Sequence, residues 1–305
     1  MEFNNKNILI TGGSGFIGNK LIEHLIDNTN EINIINFDKT QPPKNYQSVK
    51  FIKGDLGIQS DLNKLNEFEY DYIFHQGAIT DTTVMDEELM LRVNTESFHH
   101  FIKLAKDNKA VLVYASSAAT YGNTKAPNIV GRGQEPTNIY GVSKLNMDKI
   151  TWDLIEKKTD LKIVGLRYFN VYGPGEERKG KMASMMRQLF LQMDQNKNPR
   201  LFKYGKQKRD FVYIKDVIQA NVKAALSGKS GVYNVGFGEA RNFNDIVKNL
   251  NLNMGKNLEI EYFDNPYDFY QNHTEAYIKN DIGYQPIYNL EKGIKDYVKC
   301  GIHST

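Results

Sequence analysis

The chain has 305 residues, 40% of them hydrophobic and 25% charged, with a formal net charge of only +3. Those values fit a folded chain with a sizeable core and exclude a disordered or fibrous one. They also provide no global field that would draw the chain to nucleic acid or an anionic membrane, and its one cysteine, Cys300, excludes an intramolecular disulfide and a thiolate zinc cluster.

Residues 1–7 lead straight into a strand without an apolar signal segment, and no uncharged run of ~18 residues occurs anywhere. The expectation is a soluble cytoplasmic protein with neither membrane nor nucleic-acid partners. Residues 7–11 form a short apolar run, read as a buried strand. Gly12, Gly15 and Gly18 follow three apart, and Ile17, Leu21, Ile22, Leu25 and Ile26 then fall on one helical face. Strand, glycine loop and helix in that order turn the chain sharply and let its backbone approach a pyrophosphate. The helix start then aims free N–H groups at the phosphates.

The second strand, Ile32–Asp38, ends in an acid about twenty residues past the loop, where a carboxylate would bond the adenosine ribose. Lys39 follows at once, with Lys44 and Lys53 nearby, and a lysine there can neutralise a 2′-phosphate. NAD against NADP stays open on these residues. Further strands at 49–55, 72–77 and 110–116 flank a helix carrying Leu89, Val93, Phe98, Ile102 and Leu104. Near-continuous apolar strands alternating with helices predict a parallel sheet covered on both faces.

Ser117 ends the strand at 110–116, at the edge that faces the cofactor crevice in such a sheet. A helix at 140–157 carries Tyr140 and Lys144 four apart, hence on one face. A free phenol has a pKa near ~10. A fixed positive charge from Lys144, together with an oxidised nicotinamide, is expected to lower it. Tyr140 could then take a proton from a hydroxyl, with Ser117 orienting the reacting oxygen.

After a strand at 161–167, Gly173-Pro174-Gly175 breaks the chain, and short elements mix with basic segments to the end. The expected fold class is α/β: a Rossmann-type doubly wound parallel sheet with a smaller mixed α/β substrate domain. Residues 1–169 and about 211–240 are assigned to the first unit, and 170–210 with 241–300 to the second. Segments 217–225 and 232–236 return to pack on the first, and 301–305 should fray. No histidine has ligand spacing with carboxylates or cysteines, so no metal is assigned and His75 reads as structural. Trp152 and Met182, Met185 and Met186 read as packing. The basic run 203–209, with Tyr204 interleaved, reads as a diphosphate contact beside a solvated face rather than a nucleic-acid site. Lys179, on charge pattern alone, reads as a solvated lysine in the charged run 176–181.

The sequence resembles the extended short-chain dehydrogenase/reductase family. The resemblance lies in Thr11-Gly12-Gly13-Ser14-Gly15-Phe16-Ile17-Gly18, in Tyr140 with Lys144, and in Arg209-Asp210-Phe211-Val212-Tyr213-Ile214-Lys215-Asp216-Val217. Within that family, residues 6–298 are similar to the epimerases acting at C6 of an ADP-heptose. The pieces that carry this are Phe74-His75-Gln76-Gly77-Ala78, residues 114–122, Arg167-Tyr168-Phe169-Asn170-Val171-Tyr172-Gly173-Pro174 and Lys179-Gly180-Lys181-Met182-Ala183-Ser184.

The resemblance implies Gly12, Gly15, Phe16, Ile17 and Gly18 at the pyrophosphate, and Asp38, Lys39 and Lys44 at the adenosine end. Lys53, Gln76, Gly77, Ala78, Ile79, Thr80, Asn94 and Val171 would line the cofactor. Tyr140 and Lys179 would be the two acid/base groups, with Ser117 beside them and Lys144 on the cofactor ribose. Ser117, Asn170, Lys181, Gln188, Phe202, Lys203, Tyr204, Gly205, Arg209 and Tyr270 would meet the nucleotide sugar. It further implies NADP, with NAD as the alternative, an ADP-heptose substrate destined for the lipopolysaccharide inner core, and a homo-oligomer.

Gly175 stands where the family usually has arginine, Lys181 where it has a small hydroxyl residue, and the loop before Arg209 is one residue short. A UDP-hexose 4-epimerase would share Ser117, Tyr140 and Lys144 but would not call for Lys179. A 4,6-dehydratase would carry an acid pair where Ala118 and Ala119 stand. A non-catalytic dinucleotide sensor would not need the tyrosine–lysine pair.

Overall fold

The computed structural model describes residues 2–265 and 273–301, except the side chains of Lys181 and Asn280. Tyr270, the Lys181 side chain and positions 302–305 therefore lie outside the described residues.

The first apolar run becomes β1 (Lys6–Thr11), in which Ile8, Leu9 and Ile10 are at most 1% exposed. α1 (Phe16–Asp27) follows and buries Leu21, Ile22 and Leu25. Then come β2 (Ile32–Asp38), β3 (Val49–Lys53), α2 (Gln59–Asn63), β4 (Tyr72–His75), α3 (Glu87–Leu91), α4 (Ser97–Asn108) and β5 (Val111–Ser117). The long α5 (Ile139–Glu156) is capped by Asn138, whose side chain accepts the Gly141 N–H at 2.7 Å, and it leads into β6 (Ile163–Tyr168).

Beyond β6 the elements shorten. They are β7 (Asn170–Tyr172), α6 (Met185–Asp194), β8 (Arg200–Phe202), β9 (Lys208–Tyr213) and α7 (Ile214–Leu226), then β10 (Gly231–Val235), β11 (Ala240–Asn242), α8 (Phe243–Met254), β12 (Glu261–Phe263) and α9 (Leu290–Gly301).

Seven parallel strands form the main sheet in the order β10-β6-β5-β4-β1-β2-β3. The winding direction reverses between β1 and β4, so a crevice opens at the C-terminal ends of those strands. Side chains alternate between faces, which gives two apolar layers. Ile8 and Ile10 pack with α1 and α7 on one side, whereas Leu9 joins Phe98, Phe101 and Leu112 on the other. β11, β9 and β7 make a small mixed sheet, and β12 runs parallel to β8 in a separate two-stranded one. The expected Rossmann-type doubly wound parallel sheet, with a smaller mixed sheet beside it, is therefore the observed architecture. Its strand ends differ by a residue or two from the expected ones: β3 stops at Lys53, and β6 begins at Ile163.

Two acids in the stretch 209–217 stitch the C-terminal half together. Asp210 is fully buried and accepts the backbone N–H groups of Phe237, Gly238 and Ala276 at 2.6, 2.8 and 3.0 Å. Burial pushes its carboxyl up to about 6 against those three donors. Asp216 accepts from Ile287 at 3.0 Å and Tyr288 at 2.8 Å. Among the described residues, no helix is long and apolar enough to cross a membrane, and no group of three or more His, Cys, Asp or Glu could hold a metal ion.

Candidate active site

The glycine loop is where the two central strands nearly touch. Gly12 has φ +68°, and a Cβ there would lie 2.6 Å from the Gly77 backbone nitrogen; one on Gly18 would lie 2.3 Å from the Gly12 carbonyl oxygen. The Thr11 hydroxyl completes the junction by accepting the Gly77 N–H at 3.0 Å and bonding His75 Nδ1 at 2.8 Å. His75 is fully buried against Phe101, 4.3 Å between centroids, and burial holds its pKa well below the usual histidine value. His75 thus braces the junction from behind the cavity wall.

At the start of α1, Gly15 gives no side-chain cap and the first turn holds no acid, which leaves N–H groups for an anion. Gly12→Ala should cost about 1–3 kcal/mol through the positive φ alone. It should also weaken nucleotide binding, because the loop must move away from the end of β4. Urea unfolding with nucleotide titration checks both effects, and an alanine variant as stable and as tight as wild type would contradict this account.

A cavity of about 780 Å³ runs from this loop along the strand ends. Its wall includes Gly12, Gly15, Phe16, Ile17 and Gly18, then Asp38 and Lys39. It continues through Gln76, Gly77, Ala78, Ile79 and Thr80 to Ser117, Tyr140 and Lys144. Val171 and Lys179 close it from the C-terminal side. A glycine cradle, an uncapped helix start and a long crevice fit a dinucleotide, which these residues would hold.

Other expected positions lie elsewhere. Asn94 sits behind the wall, exchanging hydrogen bonds with the Ile79 backbone at 2.8 and 3.0 Å and donating to Ser143 Oγ at 3.1 Å. It therefore shapes the cavity without lining it. Lys44 lies over the Tyr46 ring, and Lys53, in register with Asp38, is exposed outside the wall. Asn170, Gln188, Phe202, Lys203, Tyr204, Gly205 and Arg209 do not line this cavity either. Gln188 donates to the Ala183 carbonyl at 2.9 Å, Lys203 pairs with Asp264 at 2.9 Å, and Tyr204 is 61% exposed.

Lys144 Nζ donates to the Ala115 carbonyl at 2.8 Å and lies 6.0 Å from the Tyr140 ring centroid. Burial raises the Tyr140 pKa above its ordinary value, opposed by the Ser117 hydroxyl. Lys144 is itself buried: desolvation brings its pKa down to about 8, opposed by Asp148.

Asp148, absent from the sequence reading, lies one helical turn past Lys144. It is fully buried, pairs with Arg167 Nε at 2.8 Å, and accepts from Tyr114 Oη at 2.8 Å and Ser116 Oγ at 3.0 Å.

A depressed lysine pKa is a stability cost that is fully present below pH 8. Between about 8 and the unfolded value of 10.5 the unfolded chain binds more protons, so stability rises with pH there. Lys144→Met should therefore raise Tm at pH 7 by at least ~2 °C and the gain should shrink toward pH 10, while turnover is lost. A lower Tm at pH 7 would contradict the desolvation argument.

Lys179 belongs to a tight helical segment, Glu176–Met182, preceded by Gly175 at φ +105° and interrupted by Gly180 at φ +51°. Glu177 and Arg178 of this segment are exposed, as its composition suggests, but Glu176 is buried and Lys179 half-buried. Glu176 is 0% exposed and accepts from the Gly173 and Ser184 backbone at 3.2 and 2.7 Å and from Ser184 Oγ at 2.9 Å. Lys179 Nζ reaches back to within 5.7 Å of the Phe16 ring centroid, and burial lowers its pKa, opposed by Glu176. Arg178 also lines the cavity, a contribution the sequence reading missed.

A protein-family profile described as the NAD dependent epimerase/dehydratase family matches residues 8–236. An ADP-L-glycero-D-manno-heptose-6-epimerase of Brachyspira hyodysenteriae is 35% identical over 96% of this chain and 96% of its own. The crystal structure of the Helicobacter pylori ADP-L-glycero-D-manno-heptose-6-epimerase superposes with a TM-score of 0.90 at 43% identity, covering 99% of this chain and 97% of that one. A UDP-N-acetylglucosamine 4-epimerase from Methanobrevibacter ruminantium is similar at a TM-score of 0.89 and 26% identity, covering 99% of this chain and 100% of its own.

Proposed function

The chain belongs to the NAD dependent epimerase/dehydratase family, and from that premise we propose that it interconverts ADP-D-glycero-β-D-manno-heptose and ADP-L-glycero-β-D-manno-heptose by inverting C6. The observation that carries the reading is the presence of Lys179 in the same cavity wall as Tyr140 and Ser117. Inversion through a ketone needs proton transfer at the C6 oxygen from two sides, and two groups of suitable chemistry border one space.

A nicotinamide dinucleotide held by the glycine loop and the wall from Asp38 to Lys144 would supply reversible hydride transfer at C6, with no net oxidation. The Ser117 hydroxyl orients the C6 oxygen. Tyr140 Oη takes or gives the hydroxyl proton on one side, and Lys179 Nζ does so on the other. Burial suits Lys179 to proton exchange near neutrality by lowering its pKa. Tyr140 is held protonated by its surroundings, so it serves as the donor in the return step and needs the cofactor's positive charge to act as base.

The cofactor we assign is NADP. Asp38 is already engaged: Oδ1 accepts the Thr40 N–H and hydroxyl, each at 2.9 Å, and Oδ2 accepts the Ser14 N–H at 3.1 Å. An acid that braces its own loop leaves the ribose end to the adjacent Lys39, a cation suited to a 2′-phosphate. Mass and absorbance of the ligand released on denaturation test this, with NADP expected and NAD contradicting it. The same reading places the protein in the cytoplasm as a homo-oligomer, with the product destined for the lipopolysaccharide inner core.

A further inference from the structure

Arg178 projects from the segment that carries Lys179 to the opposite end of the cavity. Its Nη1 donates to the Gln41 carbonyl oxygen at 2.6 Å, which sets the guanidinium beside the loop that follows β2. Arg178 shares the cavity wall there with Asp38, Lys39 and Thr40. A guanidinium carries five N–H donors in a planar fork, and the Gln41 carbonyl engages one of them. The two cations, Arg178 and Lys39, thus border the place where Asp38 is occupied by Ser14 and Thr40.

Resting on the NADP reading, we propose that Arg178 is a specificity-determining residue that recognises the 2′-phosphate of the adenosine ribose. Its fork matches phosphate oxygens in a way a point charge does not. Because Lys179 is the next residue, a phosphate held by Arg178 also anchors the strap that brings Lys179 to the reacting centre. Gly175 and Gly180, with φ of +105° and +51°, set the backbone of that strap. Cofactor identity and placement of an acid/base group are thereby joined in one short segment.

Calorimetric titration of the full-length protein, freed of nucleotide, with 2′,5′-ADP and with 5′-ADP tests the assignment. Wild type should prefer 2′,5′-ADP. Arg178→Gln should weaken 2′,5′-ADP on the order of 30-fold and leave 5′-ADP within about 2-fold, with Arg178→Lys intermediate. Equal loss for both probes, or no loss for either, would overturn the assignment of Arg178 while leaving NADP standing. A wild-type preference for 5′-ADP would instead overturn the NADP reading, and this proposal with it. A melting curve for each variant establishes that the exposed Arg178 position tolerates the change.

Discussion

Tyr140→Phe should lower epimerase turnover on the order of 10³-fold while the protein stays folded and retains its dinucleotide. The substitution removes one oxygen at the cavity wall and leaves the ring in place. The glycine loop, Lys144 and its bond to the Ala115 carbonyl at 2.8 Å are untouched, so the cofactor cradle persists. The loss falls on proton transfer at the substrate oxygen. A steady-state assay with cofactor content measured in the same sample separates the two effects. Turnover above a tenth of wild type would remove Tyr140 from its role.

Lys179→Met should cost about 10²- to 10³-fold, again with folding and cofactor retained. Methionine keeps much of the apolar stem of Lys179, whose ammonium lies 5.7 Å from the Phe16 ring centroid, but cannot exchange a proton. Glu176 then loses a nearby cation, yet it keeps its backbone and hydroxyl donors at 2.7–3.2 Å. The two variants should also fail differently. If Tyr140 and Lys179 serve opposite faces, each single variant should exchange with only one of the two epimers in a single turnover, and not the same one. Turnover like wild type in Lys179→Met would leave the enzyme with one acid/base group and end the two-sided account.

The glycine loop and the first five strands were readable because their signals are local. Ile8, Leu9 and Ile10 are continuous and apolar, the glycines follow at fixed spacing, and Leu21, Ile22 and Leu25 recur at helical period. The C-terminal half was not readable in the same way. β7 and β8 have three residues each, too short for a periodic signal, and β8 pairs with β12 some sixty residues on, Leu201 opposite Tyr262. Charge pattern missed Glu176 because its burial depends on Gly173 and Ser184, whose backbone N–H groups it accepts.

Lys44 and Lys53 were close to Asp38 by reasoning from sequence and strand order, but both are exposed off the cavity wall, Lys44 in the loop after β2 and Lys53 at the end of β3. Arg178 and Asp148 were missed for opposite reasons. Arg178 acts across 137 positions to Gln41, and no local spacing encodes that. Asp148 stands four residues after Lys144, a spacing that could have marked it as sharing the helical face of the catalytic pair. Helical spacing fixes the proximity of Tyr140 and Lys144 but not their desolvation, which raises the phenol and lowers the ammonium. Lys144 is close, yet it is buried and committed to a carbonyl.

The most direct test of the central claim follows C6 itself. Purified protein with no added cofactor is incubated with ADP-D-glycero-β-D-manno-heptose, and the heptose C6 configuration is read by NMR. The account predicts conversion to a mixture of the two C6 epimers with no net oxidation. An unchanged C6, with a UDP-hexose inverted at C4 under the same conditions, would contradict it.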